Sequence, residues 1–171
     1  MAFIGNKFGL VACVVAIVLC SCSNKEQGPD GFSYPVAPPS EVVSFFDTYL
    51  PASESSSLSD MIFNFPDLDY QSSECVLVNS KKEFRGLLTR EVSLPDIDFE
   101  KYSLIIGKCV LGDPGYVLED QVIHMGSDHM ELKLQYRRLD GVSPSVVTDF
   151  YYWGLYQKLP DLPLEVDLDI I

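Results

Sequence analysis

The chain's two histidines, His124 and His129, flank the turn Met125-Gly126-Ser127-Asp128. Two imidazoles and the Asp128 carboxylate gathered across that turn would suit zinc, which takes three or four ligands held by a second shell. Three Asp-x-Asp units, Asp67-Leu68-Asp69, Asp96-Ile97-Asp98 and Asp167-Leu168-Asp169, raise calcium in the same way. Calcium needs ~6–8 converging oxygens, usually around a Gly-containing loop, and none of the three continues as D-x-D-x-D-G. In extended chain alternate residues share a face, so two acids flanking an apolar residue equally describe a solvated strand edge. Turn histidines are likewise commonly exposed without a ligand. No metal or cofactor is therefore expected, and Asp98 is expected to accept backbone N–H bonds where the next strand begins. G-x-S-x-G, H-E-x-x-H and C-x-x-C are absent, and a nucleophilic Ser or Cys would have only the turn histidines as base. No catalytic residues are assigned, and the chain reads as a non-enzyme.

A second chemistry is aromatic. In Asp149-Phe-Tyr-Tyr-Trp-Gly-Leu-Tyr-Gln157, strand alternation puts Phe150, Tyr152 and Tyr156 on one face and Tyr151, Trp153 and Leu155 on the other. An exposed set would form a flat platform for sugar rings or a partner's apolar patch. Tyr151 and Trp153, with Tyr116 at a turn, are the candidate binding surface, and a glycan-binding lipoprotein is the alternative function. Both faces would equally serve as core if the sheet's partner layer and the N-terminal helix cover them.

The third chemistry is that of the thiol. Residues 14–27, VVAIVLCSCSNKEQ, place Cys20 and Cys22 at the end of an apolar run. Lys7 precedes an uncharged stretch from Phe8 to Leu19, roughly 12 residues, within the ~7–15 of a signal core and short of the ~20 that span a bilayer. A bacterial lipoprotein signal carries an aliphatic residue three before the modified cysteine and a small one immediately before it. Cys22 has Leu19 and Ser21 there, whereas Cys20 has bulky Leu19 in front. Residues 1–21 thus read as a lipoprotein signal peptide and Cys22 as the lipid attachment. Each buried methylene contributes ~0.8 kcal/mol, so two or three acyl chains make anchoring effectively permanent. The expected location is the bacterial cell envelope, at the outer membrane. Cys75 and Cys109 remain in the mature chain; export permits a disulfide between them, while ECVLV and GKCVL would equally bury each as a small hydrophobe.

Removing the signal takes Lys7 and no acid from a chain of 12 basic and 25 acidic residues, moving the net charge from −13 to −14. That sign argues against nucleic acid and against an electrostatic hold on anionic lipid.

The elements that must position these groups follow a clear order. Residues 22–39 are the lipidated cysteine and a tether rich in Pro and Gly, able to reach roughly 50 Å if extended at ~3.1 Å per residue. Residues 40–171 form one domain. Ser40 is the expected N-cap of a helix whose Val42, Phe45, Phe46 and Tyr49 share a face, with Pro51 as its stop. A polar ASESSSLSD loop and an irregular MIFNFPDLDY follow. CVLVN is a strand, and Ser80-x-x-Glu83 is a capping box opening a short helix through KKEFRGLLTR. YSLIIGKCVLG has the near-continuous apolarity of a central strand. YVLEDQVIHM has an alternation slip at Glu119 to Gln121 that suggests a bulge, and HMELKLQY alternates cleanly behind a tight Gly-Ser-Asp turn. VVTDFYYWGLYQKL and LPLEVDLDI complete five or six antiparallel strands with two short helices, an α+β fold.

In element order, and in the stretch PDIDFEKYSLI followed by a turn at Gly115-Tyr116, residues 76–168 resemble the C-terminal domain of the PrcB-like family and related small lipoproteins of the Bacteroidales. The chain carries Pro114-Gly115-Tyr116 where the family often has Gly-Gly-Tyr. Members of that family are accessory subunits that stabilise a secreted protease complex. The resemblance implies no catalytic residues; it implies a membrane-anchored, non-catalytic binding or accessory subunit for another exported protein.

Overall fold

The protein is described by a computed structural model, covering residues 31–53, 61–141 and 146–171. The signal segment, Cys22, the first part of the tether, most of the Ser-rich loop and Pro144 lie outside the described residues. Two helices and seven strands follow in the order β1 (Phe32–Ser33), α1 (Ser40–Tyr49), β2 (Ser73–Val78), α2 (Lys81–Gly86), β3 (Tyr102–Leu111), β4 (Tyr116–Met125), β5 (Met130–Arg138), β6 (Thr148–Gln157) and β7 (Leu164–Ile170).

The α+β class is as expected, but the strands divide into two sheets. One has the order β1-β4-β5-β7 and the other β2-β3-β6. All pairs are antiparallel except β5 with β7, which is parallel. The two sheets face each other across a core of Ile105, Cys109, Phe150, Tyr152 and Tyr156 on one side and Ile123, Leu132, Leu134 and Tyr136 on the other. The opposite face of the three-stranded sheet buries Leu104, Ile106, Tyr151 and Leu155 beneath Val42, Phe45 and Phe46 of α1 and Phe84 of α2. The result is three layers, with β3 and β6 covered on both sides. That is why YSLIIGKCVL is apolar at both parities.

Local sequence chemistry accounts for several boundaries. Ser80 accepts a bond from Glu83 N–H, and Glu83 in turn accepts one from Asn79 N–H at 2.7 Å, so both carboxylate and hydroxyl cap α2. Helix α2 ends at Gly86, short of the expected Arg90, because Leu88 leaves the helix to bridge Phe63. Ser40 is the first residue of α1 and Pro39 its N-cap, without a side-chain cap bond. The bulge falls between Leu118 and Asp120, as the broken alternation predicts. Residues before Ser40 also belong to the fold: Phe32 and Ser33 pair with His124 and Ile123, and Val36 N–H donates to Leu155 O at 2.7 Å.

Gly107 and Tyr152 are opposite one another in the β3–β6 register. The Tyr152 ring lies over the glycine so closely that a Cβ there would stand 2.2 Å from its Cζ. Its hydroxyl donates to Glu74 O and shares a 3.0 Å hydrogen bond with Ser73 Oγ. The close approach of the two strands therefore requires glycine at this position.

Candidate functional site

The two histidines do not converge. His124 lies opposite Glu131, stacks on Phe32 at 4.9 Å and places Nδ1 4.0 Å from Glu131 Oε2. His129 binds Asp128 instead, Nδ1 to Oδ1 at 2.9 Å, which raises the imidazole's proton affinity and lowers that of the carboxyl. Strand pairing puts Glu131, and not His129, across from His124. Among the described residues no three or more His, Cys, Asp or Glu side chains gather as metal ligands. In all three Asp-x-Asp units both acids are exposed and the central residue is half-buried; Asp167-Leu168-Asp169 lies in β7, whereas Asp67-Leu68-Asp69 and Asp96-Ile97-Asp98 lie in loops where Asp69 and Asp98 accept turn hydrogen bonds. Asp98 accepts the Glu100 N–H at 3.2 Å and pairs with Lys101 at 2.8 Å. The Lys101 bond is the main reason its carboxyl lies below the ordinary range.

The aromatic faces of β6 alternate as expected, yet neither is an open platform. Tyr152 and Tyr156 are buried between the sheets. On the other face Tyr151 is buried beside Phe65, and half-buried Trp153 stacks on Phe46 at 4.1 Å. The open, flat platform expected of Tyr151 and Trp153 is absent, because α1 and the segment around Phe65 lie over these residues. Tyr116 is also directed inward, edge-on to Phe150 at 6.3 Å. Its turn is fastened by buried Asp113, which accepts the Gly115 N–H at 2.8 Å and pairs with Arg138 at 3.1 Å.

Cys75 and Cys109 are free thiols. Cys75 lies opposite Gly107 and Cys109 opposite Ser73, which makes the two cysteines diagonal neighbours. Diagonal positions stand ~7–8 Å apart, beyond the ~4.4–6.8 Å Cα span of a disulfide. Burial pushes the Cys75 thiol up to about 12 and that of Cys109 up to about 11. Burial likewise raises the Tyr136, Tyr152 and Tyr156 hydroxyls around them.

Among the described residues one ion pair has both partners largely shielded from solvent. Lys108 Nζ, on the α1 side of β3, lies 2.5 Å from Asp149 Oδ2 and 3.3 Å from Pro66 O. Its partners are structural, tying the irregular stretch after Phe65 to the sheet. Beside α2 a cavity of about 510 Å³ is lined by Arg85, Leu88, Thr89, Arg90, Glu91 and Val92. Its three charged residues are all exposed.

A polarised surface covers the outer face of the four-stranded sheet. Its cross-strand rows are His124 with Glu131 and Glu165, Lys133 with Asp167, and Asp120 with Gln135 and Asp169. Glu119 at the bulge pairs with Arg137. Lys133 lies between Glu131 at 3.4 Å and Asp167 at 3.7 Å. Six acids (Glu119, Asp120, Glu131, Glu165, Asp167, Asp169) thus outnumber two bases (Lys133, Arg137) on this face. The signal for it was in the sequence, as the polar parity of HMELKLQY and LPLEVDLDI. Its assembly was not, because that needs the pairing of β5 with β7. Comparison with protein-family models, curated proteins and solved structures returned no match.

Proposed function

We infer that the chain is a membrane-tethered, non-catalytic binding module, an accessory subunit for another exported protein. The observation that carries this reading is the acidic outer face of the β1-β4-β5-β7 sheet, a surface of one predominant sign on the side away from both cores. Such a face steers and orients a basic partner more than it captures a small molecule. Cys109, most of the aromatics and Lys108 lie within the fold, away from that face. Cys22, followed by a tether, would supply the attachment to the bacterial outer membrane. The resemblance of residues 76–168 to accessory subunits of a secreted protease complex agrees in kind.

Photo-crosslinking tests it. A photoreactive residue placed at Lys133 or Gln135 should capture one discrete exported protein, while the same residue at exposed Asp47 on α1 should not. Equal capture from both faces, or none from the sheet, would count against the reading.

A further inference from the structure

The two sides of the sandwich are closed differently. On one, Gln121 Nε2 of β4 donates to Trp153 O of β6 at 2.8 Å, and Val36 and β1 cover the adjoining edges. On the other, β2 ends its sheet, β7 ends its own, and the two lie against each other without a shared ladder. The core residues on that side, Cys75, Leu77, Leu164, Val166 and Leu168, are all half-exposed, whereas Ile105, Cys109, Leu132 and Leu134 further in are fully buried. An apolar seam therefore runs along the open side.

The backbone of β7 is unpaired along the same seam. Met130 N–H donates to Pro163 O at 2.8 Å, Ile171 N–H to Tyr136 O at 2.9 Å and Arg138 N–H to Ile171 O at 3.1 Å. Alternate residues of a strand serve a given neighbour, so the odd positions of β7 are bonded to β5. The N–H and C=O groups of Leu164, Val166, Leu168 and Ile170 then point to the open side, where no strand pairs among the described residues.

Charge selects what such an edge accepts. Glu165, Asp167 and Asp169 form the outward row of β7. A second copy pairing edge to edge would set acids against acids, which guards the strand against itself. A row of lysines or arginines would be attracted by the same residues. We propose that the free edge of β7 is a strand-addition site for an extended segment of a partner protein in which apolar and basic residues alternate. The apolar residues would cover the Leu77–Val166–Leu168 seam, the basic ones would lie beside Glu165, Asp167 and Asp169, and main-chain bonds would form with Leu164, Val166 and Leu168. This deepens the binding role and rests on it.

The test uses the full-length lipoprotein in detergent micelles and a labelled synthetic peptide alternating valine and lysine, followed by fluorescence anisotropy and hydrogen exchange. The peptide binds, slows exchange across residues 164–170, and weakens by about tenfold when salt is raised from low to physiological strength or above. A valine–glutamate peptide does not bind. Glu165→Lys combined with Asp169→Lys exchanges the two preferences. The idea is overturned if exchange at 164–170 is unchanged, if a backbone N-methylated peptide binds equally well, or if the charge-reversed variant keeps the original preference. Self-association of the wild-type chain with protection at 164–170 would also overturn it. Because no native partner is needed, this failure is separate from that of the accessory role, which crosslinking of the sheet face decides.

Discussion

Gly107→Ala should destabilise the fold by about 3–5 kcal/mol. The new Cβ would stand 2.2 Å from Tyr152 Cζ and 2.4 Å from its oxygen. Carbon contacts settle at ~3.5–4.0 Å, so the ring must retreat by more than about 1 Å. Tyr152 is only 2% exposed and its hydroxyl is held by Ser73 and Glu74. Retreat therefore breaks two hydrogen bonds, each worth about 1 kcal/mol, and adds overpacking of about 1–3 kcal/mol. Chemical denaturation followed by the fluorescence of Trp153, the single tryptophan, measures the effect. The midpoint should fall with the denaturant slope unchanged. Since the cost arises at one contact, it should mostly vanish in a Tyr152→Leu background, leaving a coupling energy of about 2 kcal/mol or more in a double-mutant cycle. Gly107→Ala costing the same in both backgrounds, or under about 1 kcal/mol in the wild type, would refute the argument.

Three further outcomes follow from the same geometry. Asp149→Ala strands the Lys108 ammonium, whose side chain is 8% exposed, and should cost about 3–5 kcal/mol; Lys108→Met with Asp149→Leu should recover most of it, as read by thermal melts. Cys109, fully buried, should resist thiol reagents at pH 8, half-exposed Cys75 should react slowly because desolvation raises its thiol, and denaturant without reductant should make both react freely; none reacting would mean that they are bonded. His129 should titrate above the ordinary ~6.5 of a histidine, because Asp128 favours its charged form. Its stabilising contribution is thus present below that ordinary value and lost as pH rises through the raised one. An NMR titration in which Asp128→Asn leaves the His129 midpoint unmoved would contradict this.

How far the sequence disclosed this arrangement depends on the range of the interaction. Ser80 and Glu83 are three residues apart and their cap is local, so the α2 start was legible. The bulge near Glu119 and the two faces of β6 follow from alternation, also local, and both were legible. Which strand pairs with which is set by contacts distant in sequence. The division into two sheets, the parallel β5–β7 pair and the capture of Phe32 by His124 were not readable for that reason. Trp153 looked available because nothing near it in sequence reveals that Phe46, more than a hundred positions earlier, stacks on its ring. The acidic face was half legible: the polar parity of β5 and β7 could be read, their adjacency could not.

Co-purification of the intact lipoprotein from gently solubilised membranes tests the central claim most directly, with a wild-type bait beside the Glu165→Lys, Asp169→Lys variant. One basic exported protein should be recovered at a constant ratio to the wild-type bait and lost with the variant. Recovery of no protein beyond those held by an unrelated lipoprotein bait would contradict it.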